Sequence, residues 1–154
     1  MQSENQHNMR SGDLVRAIWR VNLSMRKIVQ RTAAANDLTA PQYAVLMTLS
    51  PYSELTQKEL GQMMPFPKST LSQAVDGLVQ AGLMDRYPVK ENRREMQLIL
   101  SHEGKTLIQT IREQEGSINR IFESVMDTLQ ARQYEELVHS LDQIADFLEE
   151  KSTD

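Results

Sequence analysis

The chain has no cysteine, which excludes disulfide bonds, thiolate zinc sites, iron–sulfur clusters and redox switching through a thiol. No run approaches the roughly 18 apolar residues that a membrane-spanning helix needs. The first dozen residues are polar and lack the apolar centre of a signal peptide. We therefore expect a cytoplasmic protein that does not enter a membrane, with a disordered leader over residues 1–12.

The sequence also lacks the common signatures of catalysis. It contains no glycine-rich phosphate loop, no nucleophile motif and no spaced set of metal ligands. Its three histidines, His7, His102 and His139, lie in unrelated segments. These absences predict a protein that is not an enzyme and that uses no cofactor and no metal.

The formal net charge of -4 conceals an uneven distribution of charge. Residues 10–31 carry six basic residues against one acidic, and residues 55–94 carry six against four. From residue 101 onward there are five basic residues against twelve acidic. Because local fields steer a polyanion to a surface, the acidic total does not exclude nucleic acid as a partner.

Residues 13–35 have the pattern of an amphipathic helix. At about 100° per residue, the apolar side chains share one arc, while Arg16, Arg20, Lys27 and Arg31 fall on the opposite face. The basic stripe is either a solvated face or a binding surface. The apolar stripe requires a packing partner.

Three short helices follow, over residues 40–50, from residue 57 for about two turns, and over residues 68–81. Each is bounded by residues with a known stereochemical preference at helix ends. The signals are Thr39 as an N-cap, the capping box of Thr56 with Glu59, the break at Pro65 and Pro67, and Gly82 past the last C-cap.

Two strands are predicted next, over residues 83–87 and 96–101, and the loop between them carries Lys90, Arg93 and Arg94. Two helices joined by a tight turn and followed by a hairpin form a winged helix-turn-helix. The expected fold is therefore mainly α with a small β-hairpin.

The apolar spacing beyond residue 101 predicts a long helix to about residue 129. A second helix then shows an apolar seam at alternating three- and four-residue steps over residues 134–148. We expect residues 10–36 and 115–150 to form a helical dimerisation region, and residues 39–114 to form the winged helix-turn-helix domain.

The helix over residues 68–81 and the hairpin tip have side chains suited to duplex DNA. Hydroxyl groups and a lysine can bond phosphates or bases, glutamine can pair with adenine, and arginine suits the minor groove. The alternative is that the hairpin is an ordinary charged turn. The candidate DNA-binding residues are Lys68, Ser69, Thr70, Ser72, Gln73, Lys90, Asn92, Arg93 and Arg94.

Three motifs, in this order and spacing, resemble the MarR family of winged-helix transcription regulators. They are LTQKELGQMM, KSTLSQAVDGLVQAGLMDR and NRREMQLILSHEGK. In the last motif, the wing pattern of the family falls on Arg94, Leu100, Ser101 and Gly104. Two residues differ from the family, because Asn92 replaces the aspartate of the wing pattern and Gln73 replaces an arginine near the middle of the recognition helix.

The resemblance implies a repressor that binds a palindromic operator as a homodimer and is released by a small aromatic or phenolic ligand. The residues expected to line the ligand crevice are Arg16, Trp19, Arg20, Leu23, Tyr43 and Met47. The alternative is that Trp19, Tyr43 and Met47 belong to the core. A winged-helix and coiled-coil module that binds another protein, without DNA, is the other interpretation of the whole sequence.

Overall fold

The computed structural model describes residues 2–152, with side chains from Arg10 onward. The fold is mainly helical with one small antiparallel sheet, as predicted. None of the helices within the described residues is both long enough and apolar enough to cross a membrane. The elements in chain order are α1 (Gln2–Ala35), α2 (Ala40–Leu49), β1 (Leu55–Thr56), α3 (Gln57–Met63), α4 (Lys68–Gln80), β2 (Met84–Pro88), β3 (Met96–Leu100), α5 (His102–Glu113), α6 (Ile118–Met126) and α7 (Ala131–Ser152).

Helix α1 is longer than the sequence pattern predicts. Its backbone is helical from Gln2, which corrects the disordered leader expected over residues 1–12, and Met1 lies outside the described residues. This segment contains no proline, and extending an existing helix by one residue costs far less than nucleating a new one. A polar composition alone therefore does not end the helix.

The predicted caps of α2 and α3 are present. The Thr39 hydroxyl accepts a hydrogen bond from the Gln42 amide at 3.2 Å, and Gln42 Oε1 accepts from the Thr39 amide at 2.9 Å. At α3, Thr56 Oγ1 accepts from the Glu59 amide at 3.1 Å, and Glu59 Oε2 accepts from the Thr56 amide at 2.8 Å. The hydrogen bonds from the Thr56 amide and hydroxyl lower the pKa of Glu59, because they favour its charged form.

Thr56→Ala should lower the free energy of unfolding by about 1 kcal/mol, because the Glu59 amide loses its acceptor at the start of α3. Urea unfolding followed by circular dichroism measures the change. The control is Ser140→Ala, which removes a hydroxyl from the interior of α7, where it bonds only the Glu136 carbonyl. We expect no loss of stability in the control. Equal losses in both variants would contradict a capping role for Thr56.

The sheet has the order β1-β3-β2, with all strands antiparallel. Strands β2 and β3 form the predicted hairpin, in which Met84 pairs with Leu100 and Pro88 pairs with Met96. Strand β1 was not predicted. It is two residues long, and its Leu55 pairs with Leu98 of β3, so it is too short to show an alternating pattern in the sequence.

One continuous core lies beneath α4 and the sheet. It joins α2, α3, α4, β2, β3 and α5, and most of its side chains are completely inaccessible to solvent. Because burying each such side chain contributes roughly 1.5–3 kcal/mol, this core fixes the inner face of α4 relative to the hairpin. The residues with zero exposure are Val45, Leu46, Leu49, Leu60, Val75, Leu78 and Leu98.

Helices α5 and α6 are separate, which corrects the single long helix expected after residue 101. Ser117 begins α6 by accepting a hydrogen bond from the Arg120 amide at 3.3 Å, and its hydroxyl donates to the Arg112 carbonyl at 3.0 Å. The Gly116 carbonyl accepts from Arg31 Nη2 of α1 at 3.2 Å. The break therefore depends on contacts between segments that are distant in sequence.

Three helices expose apolar side chains in the single chain. Within the described residues, α6 and α7 have no buried residue, although α7 is 22 residues long. An exposed apolar surface of this extent marks an interaction site. The exposed side chains are Leu14, Val15, Trp19, Val21 and Leu23 of α1, Phe122, Val125 and Met126 of α6, and Tyr134, Leu137, Val138, Leu141, Phe147 and Leu148 of α7.

Candidate nucleic-acid interface

Helix α4 has one buried face and one polar face. It begins directly after Pro67, whose fixed φ suits a helix start. Leu71, Ala74, Val75 and Leu78 point into the core. The opposite face is thereby turned to solvent, with its orientation fixed by the packing below it.

The five candidate residues of α4 occupy the polar face and its borders. Lys68, Ser69 and Gln73 are exposed, whereas Thr70 and Ser72 are half-buried. Gln73 is therefore the longest exposed side chain in the first two turns of α4 that can both donate and accept hydrogen bonds, and Thr70 is less accessible than the sequence suggested.

An ion pair joins the polar face of α4 to the hairpin. Asp76 lies one turn beyond Gln73 on the same face, and its Oδ1 accepts a hydrogen bond from Arg86 Nη1 of β2 at 2.6 Å. The Arg86 side chain is 31% exposed and that of Asp76 is 58% exposed. Because the pair is exposed, it contributes little stability, but it links α4 to β2 and offsets the charge of the one acid on that face.

Gly77 allows α2 to approach α4 closely. A Cβ at this position would collide with the side-chain amide nitrogen of Gln42, which is the same side chain that caps α2. This contact explains a glycine in the interior of α4, where the residue weakens a helix by about 1 kcal/mol relative to alanine.

The tip of the wing, residues 89–95, is shaped by Asn92. Its backbone amide donates to the Val89 carbonyl at 3.2 Å, and its carbonyl accepts from the Glu95 amide at 2.9 Å. Its side-chain Oδ1 accepts from the Arg94 amide at 3.2 Å. Asparagine therefore closes the turn through local hydrogen bonds, without the negative charge of an aspartate.

The cations of the wing are available for a ligand. Lys90, Arg93 and Arg94 are all exposed, and none has a salt-bridge partner among the side chains of residues 10–152. The field at the tip is therefore positive, since Glu91 is the only acid in the turn before Glu95.

A cleft of about 610 Å³ separates α4 from the wing. It contains Lys68 and Arg94, which the sequence had indicated, together with Lys58 of α3, which the sequence analysis had not selected. Lys58 was missed because it lies between Thr56 and Glu59 of the capping box. The box pattern involves only those two residues and gives no role to the side chain of Lys58. The residues lining the cleft are Gln57, Lys58, Gly61, Phe66, Lys68, Leu71, Arg94, Glu95 and Met96.

Main-chain contacts hold the end of α4 against the start of α5. Ser101 Oγ donates to the Gly82 carbonyl at 2.7 Å and accepts from the Gly104 amide at 3.0 Å, which makes it the N-cap of α5. A Cβ on Gly104 would overlap the Leu83 carbonyl oxygen. Gly82 has φ +74°, which favours glycine. The spacing of these residues in the sequence is therefore explained by close backbone packing.

The six residues expected to line a ligand crevice are not brought together. Tyr43 is 3% exposed and packs in a core cluster with Met47, as the alternative interpretation held. Burial raises the pKa of the Tyr43 hydroxyl, and the Arg112 guanidinium opposes this effect in part. Trp19 is instead 70% exposed and Leu23 is 56% exposed. Arg16 and Arg20 lie on the same face of α1 as Trp19 and Leu23. This face is about half a turn away from the face that meets α2.

A different apolar groove lies between α1 and the winged helix. It has a volume of about 660 Å³, and Phe66 lines both this groove and the cleft beside α4. The sequence analysis missed it because periodicity does not reveal which part of the apolar stripe of α1 faces α2. The lining residues are Ile18, Val21, Asn22, Met25, Arg26, Val29, Gln30, Ala40, Ala44, Pro65 and Phe66.

Among the side chains that the structure describes, those of residues 10–152, no group of three or more histidine, cysteine, aspartate or glutamate residues is arranged to hold a metal ion.

The fold and the site define a winged-helix protein, in which a recognition-type helix and a cationic wing border one cleft. Residues 38–96 match the family model described as "MarR family". The match covers α2, β1, α3, α4 and β2 and ends at the start of β3, so the winged-helix part of the chain is similar to this family.

Comparisons over most of the chain also find transcription regulators. The uncharacterized HTH-type transcriptional regulator YhbI of Bacillus subtilis is 25% identical over 140 residues, which cover 91% of this chain and 89% of YhbI. The crystal structure of the MarR family transcription regulator SP03579 has a TM-score of 0.79 at 18% identity and covers 97% of each chain. A mutant of Escherichia coli MarR in complex with operator DNA has a TM-score of 0.69 at 22% identity, over 86% of this chain and 93% of that one. At these identities, the two structures show a shared fold.

Proposed function

We propose that the protein is a sequence-specific repressor that binds a palindromic operator as a homodimer. The observation that carries the proposal is the exposure of Gln73 and Lys68 beside a wing whose three cations form no salt bridge with the described side chains of residues 10–152. The solved complex of the E. coli MarR mutant with operator DNA, which has the same fold, supports it.

In the proposed complex, the first half of α4 enters the major groove. The helix has 13 residues and is therefore about 20 Å long, and the groove is about 12 Å wide. Gln73 would pair with adenine and carry most of the sequence discrimination, with Thr70 at the edge of the contact. Lys68, Ser69 and Ser72 would hold the backbone or bond base edges.

The wing would contact the adjacent minor groove or its phosphates. Arg93 and Arg94 are favoured there by the negative potential of a narrow minor groove, and Lys90 would add a phosphate contact. Asn92 would hold the turn in shape and lies close enough to the tip to reach a sugar or phosphate.

Homodimerisation is proposed from the uncovered apolar surface of α1, α6 and α7. The two winged helices of a dimer would contact two half-sites of the operator, whereas a single winged helix contacts too few bases for a selective site. The charges also suit this arrangement, since α1 is basic while the chain from residue 101 onward is acidic.

We further propose that a small aromatic or phenolic compound releases the DNA, and that it binds in the groove between α1 and α2. The groove is apolar, is of a size that accepts such a compound, and has Arg26 at its border for an anionic substituent. The dimer would exist in conformations that differ in the distance between its two winged helices. A ligand shifts the equilibrium between them only if it binds more tightly to the conformation that does not fit DNA.

Selection of bound sequences from a random duplex pool tests the proposal. The expected product is a palindrome whose two half-sites are separated by about one helical turn of DNA. If the full-length protein shows no salt-dependent affinity for duplex DNA, the proposal is wrong, and a protein-binding module becomes the better interpretation.

Gln73→Ala should reduce the ratio of affinities for the selected site and for random duplex by about 10-fold or more, because a bidentate contact to a base contributes about 1–3 kcal/mol of discrimination. Fluorescence anisotropy with the two duplexes measures the ratio. Gln80→Ala is the control, since Gln80 is exposed at the far end of the same helix. An unchanged ratio for Gln73→Ala would exclude this residue from base recognition.

A further inference from the structure

The cleft between α4 and the wing collects cations from three separate elements. Lys58 comes from the first turn of α3, Lys68 begins α4, and Arg94 lies in the tip of the wing, two residues before β3. The three residues are far apart in sequence, so their convergence depends on the packing of α3 against α4 and on the pairing of the hairpin.

The positive charge of the cleft is not neutralised within the chain. All three cations are exposed, and none forms a salt bridge to another described residue. Glu95 is the only acid that lines the cleft, so the walls carry two net positive charges.

The inner wall of the cleft is apolar. Phe66, Leu71 and Met96 line it, and Leu71 and Phe66 are held by their packing in or against the main core. An apolar wall reduces the local dielectric constant, which strengthens the attraction between the cations and an anion that enters.

We propose that this cleft binds one backbone phosphate of duplex DNA, which Lys58, Lys68 and Arg94 hold jointly. The inference rests on the proposed function and adds to it a phosphate site and a third residue, Lys58 of α3. Arginine can bond two phosphate oxygens in parallel, while the two lysines act as point charges. One phosphate held by three elements fixes the depth at which α4 enters the groove.

The dependence of affinity on salt tests whether the three cations share one phosphate. Binding to a short random-sequence duplex is measured for the full-length protein at several salt concentrations. Each contacted phosphate contributes about 0.9 to the slope of log affinity against log salt. The triple variant K58Q/K68Q/R94Q should lose about 0.9 in total, and each single variant should lose less, because the remaining cations still contact the phosphate.

The effect of Lys58 alone is measured against a matched control. K58Q should weaken random-duplex binding about two- to fivefold, the range expected for one exposed ion pair. K105Q removes the same charge from the exposed surface of α5, outside the cleft, and should have a smaller effect. If K58Q and K105Q behave alike, Lys58 is not part of the site. A slope that falls about three times as far in the triple variant would show three separate phosphates and would overturn the proposal.

A second measurement identifies the phosphate itself. Each phosphate of the selected duplex is replaced in turn by a neutral methylphosphonate, and binding is measured for wild type and variants. Wild type should lose affinity at several positions in each half-site, and the triple variant should become insensitive at one of these positions only. Failure of wild type to bind any duplex would remove the proposed function, whereas duplex binding that is unaffected by the cleft variants would remove only this inference.

Discussion

Leu141→Glu should convert the protein from a dimer to a monomer and lower operator affinity by at least about a hundredfold, since the two winged helices then bind their half-sites independently. Leu141 is 48% exposed in the single chain and shares an arc of about 80° of α7 with Tyr134, Leu137, Ile144 and Leu148. If this face is buried between two chains, a carboxylate there would be buried without a partner, which costs several kcal/mol.

Light scattering at micromolar concentration and operator binding measure the two effects. Gln143→Glu is the matched control, because it adds the same carboxylate to the opposite face of α7 and should leave both properties unchanged. Retention of the dimer in Leu141→Glu would show that this face of α7 is not the interface. A monomeric wild-type protein would contradict the proposed dimer directly.

Gly104→Ala should lower the free energy of unfolding by about 1–3 kcal/mol, the range for forcing extra atoms into a packed site. The new Cβ would overlap the Leu83 carbonyl oxygen, so either α5 or the turn after α4 must move. A decrease in the free energy of unfolding would identify the steric overlap as the cause, because alanine normally stabilises a helix by up to about 1 kcal/mol relative to glycine.

Gly12→Ala is the control for this substitution. Gly12 also lies in a helix, and its nearest neighbour across the space of a Cβ is the flexible end of Arg16 at 3.4 Å. We expect Gly12→Ala to be neutral or stabilising in urea unfolding. Equal stability of Gly104→Ala and wild type would mean that the contact with Leu83 relaxes without cost.

The elements with local chemical signals could be predicted from the sequence. The caps at Thr39 and Thr56, the prolines after α3 and the glycine after α4 each act within a few residues, so α2, α3 and α4 were found to within one residue or so. The break between α5 and α6 depends instead on tertiary contacts. Among them, Gln114 Nε2 donates to Asn36 Oδ1 at 2.8 Å across 78 residues of sequence.

The candidate site was predicted in part for the same reason. The cations of α4 and the wing follow the winged-helix pattern and lie beside one cleft, whereas Lys58 joins them only through the packing of α3. The groove between α1 and the winged helix could not be located because an amphipathic pattern gives the apolar face of α1 but not its neighbour. Trp19 and Leu23 proved to lie on a face that the single chain leaves open.

The junction formed by Gly82, Leu83, Ser101 and Gly104 has a consequence for how such a protein can change its target. The joint relies on carbonyls, amides and one short hydroxyl, so none of the exposed side chains of α4 takes part in it. New operator preferences can therefore evolve, or be engineered, by exchanging residues such as Gln73 while the scaffold that aims them stays intact.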